Sequence, residues 1–305
     1  MPRSLKRKHS PSPPSTPSSL KPPNRTGGAA ADETNPFPAF PNPTFEECQA
    51  VRDDLLALHG FPQDFLKYRK QRLLLKQNLP DLDQSLSNSE QLNEEGGDDD
   101  SCGQESVLDG LVGAILSQNT TEVNARRAFA SLKSSFPAWE DVHAAEPKLV
   151  ETAIKCAGLA PSKTSCIKGI LSCLLEKKGK LCLEYLRDLS IEEIKRDLSC
   201  YGGVGPKTVA CVLMFHLNQD DFPVDTHVFQ IARTIGWVPA EANVKKTYLH
   251  LNQRIPNELK FDLNCLLYTH GKACRVCSGK GSYKAEADSN QKPPCPLLKY
   301  VSSSK

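Results

Sequence analysis

Residues 198–228 read LSCYGGVGPKTVACVLMFHLNQDDFPVDTHV, and this stretch decides the predicted fold. Three glycines, Gly202, Gly203 and Gly205, lie together in a turn, where glycine enters positive φ at little cost, and Pro206 suits the first position of a helix. Apolar residues recur at helical spacing on both sides of the turn: Ile191, Ile194 and Leu198 before it, and Val209, Val212, Leu213 and Leu217 after it. The pattern predicts an exposed hairpin between two anchored helices.

An exposed hairpin that opens a helix directs unpaired backbone N–H groups outward, and the helix dipole adds partial positive charge there. Both features suit a phosphate group. We therefore predict that Gly202, Gly203, Gly205 and the following Thr208 contact a nucleic-acid backbone. An ordinary turn between two structural helices would explain the same glycines.

Two further residues add chemistry to the hairpin. Lys207 falls in the first turn of the second helix, where we expect it to be partly buried and to act as a nucleophile. Asp225 precedes a helical apolar pattern and reads as an N-cap, which would fix a carboxylate near the hairpin. Each residue alone has a plain structural alternative, a solvated charge for Lys207 and a simple cap for Asp225. The combination favours a catalytic site.

The segment GGVGPKT followed by PVDTHV resembles the signature of the endonuclease III-like DNA glycosylases, the HhH-GPD superfamily. The resemblance runs from about Leu108 through LVGAILSQNTTEVNARRAF and GLAPSKTSCI to HGKAC, which ends at Cys274. It implies two helical lobes around a cleft and a partner that is double-stranded DNA containing a damaged or modified base. It also implies that Lys207 attacks C1′ of the nucleoside with the help of Asp225, which gives AP lyase activity as well as base excision.

Helical patterns follow one another between residues 107 and 200, among them 126–135, 147–156, 163–177 and 190–200, with hardly any strand-like alternation. They predict an all-α domain whose core includes apolar residues such as Leu149. The first of these helical patterns ends in the polar cluster Ser117, Gln118, Asn119 and Thr120. An enzyme that extrudes a base must fill the gap it leaves, and an amide side chain can do so. Gln118 and Asn119 are both candidates for this wedge, and helix capping is the structural alternative.

The cysteines near the C-terminus determine the metal prediction. The resemblance implies a [4Fe-4S] cluster held by four cysteines in the spacing Cys-x6-Cys-x2-Cys-x5-Cys, since thiolates suit iron–sulfur sites. The chain offers Cys274, Cys277 and Cys295, with Cys265 upstream, so the pattern is incomplete. We therefore expect no bound cofactor, with these four cysteines as an irregular alternative site.

Composition divides the chain into five predicted segments: a disordered basic Pro/Ser-rich tail (1–43), a helical pre-domain segment (44–77), an acidic linker (78–105), the glycosylase domain (106–275) and a flexible cysteine-containing segment (276–305). The tail carries Lys6, Arg7 and Lys8, which indicate nuclear import, with an organelle as the alternative. Scattered cysteines favour a reducing compartment. The net charge of +2 combines the acidic linker with lysines, such as Lys163 and Lys168, that we expect on a DNA-facing surface.

Two other functions remain open from the sequence. A helix-hairpin-helix module without catalysis needs the glycines but not Lys207 and Asp225 together. A glycosylase for oxidised guanine, alkylated bases or 5-methylcytosine would share all of these features. The segment GWVP after VDTHVFQIARTI is similar to the plant demethylating glycosylases, but it is short. A panel of DNA duplexes with single lesions separates these alternatives.

Overall fold

A computed structural model of the chain describes residues 35–77, 105–274, 276–277 and 295–301. All regular secondary structure within these residues is helical, which confirms the all-α prediction. None of their helices is long and apolar enough to cross a membrane. The predicted properties of residues 1–34 and of the linker residues 78–104 lie outside the described part of the chain.

Twelve α-helices are numbered in chain order: α1 (Phe45–His59), α2 (Leu66–Gln77), α3 (Val107–Leu116), α4 (Glu122–Ser135), α5 (Trp139–Ala144), α6 (Pro147–Ala153), α7 (Ala160–Lys178), α8 (Ile191–Ser199), α9 (Pro206–Cys211), α10 (Thr226–Thr234), α11 (Val244–Arg254) and α12 (Asn257–Ala273), counted over the described residues. A π-helical turn, Val212–His216, continues α9. Short 3₁₀ turns cover Gln63–Phe65, Lys155–Ala157, Glu184–Asp188 and Pro296–Tyr300.

The first lobe is built from α3 to α9 around one apolar core. Leu111 and Ile115 of α3 pack with Ile167 and Leu171 of α7, and all four side chains are almost fully buried. Burial of a side chain of this size stabilises a fold by about 1.5–3 kcal/mol. Leu149, which the helical pattern also assigns to the core, is instead exposed on α6.

The second lobe combines α10 to α12 with the N-terminal helix α1. Val51 and Leu55 of α1 are fully buried in the same cluster as Leu263 and Leu266 of α12. Leu58 is exposed, because it lies on the outer face of α1. The segment before the acidic linker is therefore part of the second lobe.

Arg72 of α2 fixes this segment to the end of the π-helical turn. Its guanidinium donates to the carbonyl oxygens of Met214 and Gln219, each at 3.3 Å, and pairs with the Asp220 carboxylate. The residue is only 9% exposed. A buried charge needs such partners, because an unpaired one would carry a large desolvation cost.

Residues 35–43, predicted as the end of a disordered tail, have a defined place on α11. The imidazole of His250 makes hydrogen bonds with Asn35 Oδ1 at 2.9 Å and with the Asn42 carbonyl oxygen at 2.7 Å. His250 is fully buried, and burial lowers its pKa. The prediction of disorder was wrong for residues 35–43, because their Pro-rich composition gives no sign of the two hydrogen bonds that hold them to His250.

Residues 295–301, predicted as part of a flexible end, also pack on the second lobe. Leu297 is 1% exposed within the second core. Lys299 Nζ donates to the Asp54 carboxylate of α1 at 2.9 Å, and the Tyr300 hydroxyl donates to the same carboxylate at 2.5 Å. These contacts join the C-terminal segment to α1.

Two lysines expected on a DNA-facing surface cap helix ends instead. Lys163 is 3% exposed and donates to the carbonyl oxygens of Leu116 and Ala157, at 2.8 and 2.9 Å. Lys168 donates to three carbonyl oxygens around the end of α5. Burial lowers the pKa of both ammonium groups. Their role is to satisfy carbonyl groups that a helix end leaves without partners.

Candidate active site

The predicted hairpin joins α8 to α9, and its backbone shows which glycines are required. Gly203 has φ = 88°, a region that other residues enter only with strain, and a Cβ there would lie 2.7 Å from Cys166 Sγ. Gly205 is the N-cap of α9 with φ = −92°, and a Cβ built on Gly202 or Gly205 meets nothing within 4 Å. Of the three predicted glycines, only Gly203 is therefore demanded by local conformation. The other two leave open space beside the turn.

Lys207 follows Pro206 in the first turn of α9. The structure exposes Lys207, so the partial burial expected from the sequence is not observed. The helix behind it is anchored by Val209 and Ala210, which are buried. A helix anchored in the core therefore presents an exposed amine.

Asp225 has the N-cap conformation that the sequence predicted. Its carboxylate accepts a hydrogen bond from the Val228 N–H at 2.8 Å, and the residue is half-buried at the start of α10. The loop before it is held by Asn264 of α12, whose amide donates to the Pro223 carbonyl oxygen at 2.7 Å. The carboxylate is thus fixed by two helices of the second lobe.

Lys207 and Asp225 line one cavity of about 680 Å³, Lys207 from the first lobe and Asp225 from the second. Cys211, one turn after Lys207 on α9, lies in the same wall. Burial raises the pKa of the Cys211 thiol, as does the Asp225 carboxylate, and the nearby Lys207 opposes this increase. The Lys207 amine and the Asp225 carboxylate therefore both act on the pKa of the same thiol, in opposite directions.

Gln118 and Asn119 follow the end of α3 and differ in their surroundings. The Gln118 amide donates to the Gly203 carbonyl oxygen at 3.3 Å and to Thr208 Oγ1 at 3.2 Å. Asn119 is exposed at the tip of the turn with φ = 52°. Thr208, predicted to contact DNA, is 5% exposed, and its hydroxyl accepts from Gln118. The structure thus brings Gln118 and Thr208 together as support for the hairpin.

The cavity also contains a polar group that the sequence did not predict. Lys67 Nζ lies 2.7 Å from Glu105 Oε2, and the Tyr68 hydroxyl donates to the same oxygen at 3.4 Å. All three residues line the cavity, and burial raises the pKa of Tyr68. Glu105 had been assigned to the acidic linker. No local pattern could have found this group, because its members lie on both sides of that segment.

His216, at the end of the π-helical turn, also lines the cavity. Burial lowers its pKa to about 4, so the imidazole is neutral at physiological pH. A Cβ added at Gly110 of α3 would overlap the His216 ring. Gly110 therefore leaves the space that the His216 ring occupies in the wall of the cavity.

A second group of reactive side chains lies at the far end of α12. One ligand atom each from His270, Cys274, Cys277 and Cys295 falls within 4.8 Å of the others. Cys265, the predicted fourth cysteine, is not in this group and lies fully buried in the core of the second lobe. Cys265 and His270 are five residues apart on α12, so their side chains point in different directions and Cys265 cannot join the group.

The protein has two helical lobes, a glycine hairpin, and a lysine and an aspartate on one cavity. This combination defines the class of protein, a helix-hairpin-helix DNA glycosylase. A family model described as HhH-GPD superfamily base excision DNA repair protein matches residues 112–257. The Arabidopsis thaliana protein named "Putative DNA glycosylase At3g47830" is 56% identical over 271 residues, which cover 88% of this chain and 90% of that protein. The chain therefore belongs to the HhH-GPD superfamily of base excision DNA repair proteins.

More distant proteins match smaller parts. The Arabidopsis thaliana "DNA glycosylase/AP lyase ROS1" is 36% identical over 118 residues, 39% of this chain and only 8% of that protein. A solved structure titled "Structure of a Trapped Endonuclease III-DNA Covalent Intermediate: Estranged-Adenine Complex" has a TM-score of 0.52 and 23% identity, and covers 65% of this chain and 84% of that one. The latter likeness shows a common fold.

Proposed function

We propose that this glycosylase is bifunctional: it binds double-stranded DNA, removes a damaged or modified base and then cleaves the strand as an AP lyase. The observation that carries the proposal is the placement of Lys207 and Asp225 on one cavity between the lobes. The name of the relative ROS1 includes AP lyase, which supports the same activity for the segment that matches it.

The chemistry needs an amine and a carboxylate in these positions. The Lys207 amine attacks C1′ while the bond from C1′ to the base breaks, and the bonding electrons leave with the base, which takes up a proton. Asp225 stabilises the positive charge that grows on the sugar and accepts the proton that the amine releases. The amine is then bonded to C1′ of a closed sugar ring. The C1′–O4′ bond breaks, O4′ takes up a proton, and the nitrogen lone pair forms the imine between Lys207 and C1′. Loss of a C2′ proton then expels the 3′ phosphate, and water releases the enzyme.

Asn119 is the residue we propose as the wedge that fills the space of the extruded base. It is exposed at the tip of the loop after α3, whereas the neighbouring Gln118 amide is held by the hairpin. An amide with free donors and acceptors suits the base left without a partner. Gln118 then serves as the support that holds the wedge loop against the hairpin.

Borohydride trapping tests the lyase step. It should convert wild-type protein and lesion-containing duplex into a covalent complex, because borohydride reduces the imine to a stable amine. Lys207→Gln should give no complex, while the control Lys148→Gln, at an exposed lysine of α6, should trap like the wild type. Base excision by the wild type without any trapping would contradict the lyase assignment and leave a glycosylase that uses water.

The role of Asp225 is tested by Asp225→Asn, since asparagine also caps helices well and should preserve α10. We expect single-turnover excision to fall by about 10²-fold or more, with an unchanged dissociation constant for DNA, because the carboxylate acts on charge in the transition state. An equal loss of DNA affinity would assign Asp225 a structural role.

The base that is removed determines the biological role. A panel of duplexes, each with one oxidised pyrimidine, 8-oxoguanine, alkylated purine or 5-methylcytosine, reads it directly. Excision of none of them, with retained DNA binding, would favour a binding module without catalysis. The polar group formed by Lys67, Tyr68 and Glu105 is where we expect base selection.

We further propose that the protein acts in the nucleus, on the basis of the cluster Lys6, Arg7 and Lys8. A fluorescent fusion should accumulate there, and replacement of all three residues by alanine should disperse it. Accumulation in an organelle would contradict the proposal.

A further inference from the structure

His270, Cys274, Cys277 and Cys295 form a thiol–imidazole group that the glycosylase reaction does not use. Cys277 Sγ lies 3.6 Å from Cys295 Sγ, and Cys295 Sγ lies 3.3 Å from His270 Nε2. The Cys274 sulfur accepts from the Cys277 N–H at 3.5 Å. His270 and Cys277 are almost fully buried, at 2% and 1% exposure. Three sulfurs and one nitrogen thus converge on a single point.

This group does not fit the [4Fe-4S] cluster that the family resemblance implies. Such a cluster takes four thiolates, and each of them binds a different corner iron. The described residues offer three converging thiols, and their ligand atoms all lie within 4.8 Å of one another. Ligands of separate irons must stand further apart than ligands of one ion. These separations therefore do not match a cubane at this position.

The same distances fit one tetrahedral ion. Zinc–sulfur bonds of about 2.3 Å and zinc–nitrogen bonds of about 2.0–2.1 Å place tetrahedral sulfurs about 3.8 Å apart and a sulfur and a nitrogen about 3.5 Å apart. The observed separations of 3.6 and 3.3 Å agree with these values. Three cysteines and one histidine are a common ligand set of structural zinc, and Cys274 and Cys277 have the usual short spacing.

A second histidine orients the first. His59, the last residue of α1, places Nε2 3.0 Å from His270 Nδ1. When His270 donates its Nδ1 proton to His59, the lone pair of Nε2 is directed towards the sulfurs. Histidines that bind metals usually have such a partner on their other nitrogen. This contact is a second, independent sign of a metal ligand.

We propose that His270, Cys274, Cys277 and Cys295 bind one structural zinc ion. All four positions of the ion are filled by protein, which is typical of a structural rather than a catalytic zinc site. The ion would join α12, the segment that begins at Cys295 and, through His59, the end of α1. Gly271, beside His270, lies against the side chain of His227, two residues after Asp225. The zinc site therefore stabilises the part of the second lobe that holds the catalytic carboxylate.

Elemental analysis of the purified full-length protein tests the proposal without any enzyme assay. We expect about one zinc per chain, with little iron and no acid-labile sulfide. Iron and sulfide at about four per chain would overturn the proposal in favour of a cluster. Failure of the metal-free protein to take up zinc from a zinc salt would also overturn it.

Variants define the ligands. Cys277→Ser and Cys295→Ser should lose zinc, and His270→Cys should keep it because four ligands remain. Cys200→Ser, at an exposed cysteine, and Cys265→Ala, at the buried cysteine outside the group, are matched controls that should retain zinc. Zinc loss in Cys265→Ala but not in Cys277→Ser would refute the ligand set.

Affinity and spectroscopy remain informative if a variant folds poorly. His59→Ala should weaken zinc binding by about 10- to 100-fold in competition with a chromophoric chelator, since it removes only the partner of a ligand. Cobalt(II) substituted into wild-type protein should show tetrahedral absorption bands with sulfur-to-metal charge transfer. Octahedral bands without charge transfer would contradict a thiolate site. These readouts are independent of base excision, so they stand or fall separately from the proposed function.

Discussion

Gln118 and Gly203, which are 85 residues apart in sequence, are joined by a hydrogen bond of 3.3 Å from the glutamine amide to the glycine carbonyl oxygen. The same amide nitrogen reaches Thr208 Oγ1 at 3.2 Å. The loop after α3 and the glycine hairpin are therefore joined by one side chain. Under the proposed function, this amide would couple contact with the DNA strand to extrusion of the base.

Gln118→Ala and Asn119→Gly should separate support from insertion. Loss of the two Gln118 hydrogen bonds should cost about 1–2 kcal/mol of unfolding free energy and weaken DNA binding, because each contributes about 0.5–1.5 kcal/mol. Asn119→Gly should leave the melting temperature nearly unchanged, because glycine accepts φ = 52° without strain and no core contact is lost, and it should slow excision in single-turnover assays. Equal effects of both changes on stability would contradict separate roles.

Gly203→Ala should be more harmful to folding than Gly202→Ala. The first change adds about 1–2 kcal/mol of backbone strain at φ = 88° and pushes a methyl group against Cys166 Sγ. The second adds a methyl group in open space. Chemical denaturation measures the difference. The double change Gly203→Ala with Cys166→Ala should recover only part of the loss, because the strain remains.

The sequence predicted the local geometry of the site well. Glycines, a proline and an aspartate determine turns and caps through their own conformational preferences, so the hairpin and the N-cap at Asp225 followed from a few letters. Helix α4 began at Glu122 rather than at the predicted Arg126, because Thr121 caps it with a hydrogen bond to the Asn124 N–H. Such boundary errors arise where the apolar pattern is weak at a helix end.

Polar contacts between residues that are distant in the chain could not be predicted from the sequence. Lys163 was expected on a DNA-facing surface, but its ammonium group caps a helix end that lies far away along the chain. His270 was not considered as a ligand because no spacing rule joins it to Cys295 across a segment of arbitrary length. In both cases the interaction depends on how helices pack, which the pattern of one helix does not contain.

His216 should make stability depend on pH. Its pKa is about 4 in the folded protein and 6.5 in the unfolded chain, so between these values the unfolded state binds more protons. The stabilisation is complete above about pH 6.5 and is lost as pH falls towards 4, a change of up to about 3 kcal/mol. His216→Phe should flatten the slope of unfolding free energy over this range. An unchanged slope would show that other groups, such as His250 and His59, cause the dependence.

Arg72→Lys should destabilise the protein by about 2–3 kcal/mol, because a lysine cannot reach Met214, Gln219 and Asp220 together and leaves a buried charge with fewer partners. Arg69→Lys is the control, since the pair with Asp262 is partly solvated and should cost less than about 1 kcal/mol. The comparison measures how strongly Arg72 holds α2 to the end of the π-helical turn. A smaller loss for Arg72→Lys than for Arg69→Lys would contradict this attachment.

The salt dependence of DNA binding separates the hairpin from the N-terminal tail. Backbone N–H groups release no counterions from DNA, whereas each lysine or arginine at a phosphate steepens the plot of log affinity against log salt by about 0.9. Deletion of residues 1–34, which spares the contacts of Asn35 and Asn42 with His250, should leave lesion cleavage nearly intact and lower the slope only modestly.

Gly205→Asp provides the opposite case. The backbone at Gly205 has φ = −92°, a Cβ there meets nothing within 4 Å, and aspartate is a good N-cap, so α9 should remain folded. The added carboxylate should nevertheless weaken DNA binding at every salt concentration, because it would repel the phosphate that we expect the turn to bind. Gly205→Asn, of the same size but without charge, should lose much less affinity. A different result, in which the deletion abolishes binding and Gly205→Asp has no effect, would assign the DNA contact to the tail. A carboxylate next to a bound phosphate must weaken binding, because the two negative charges repel each other.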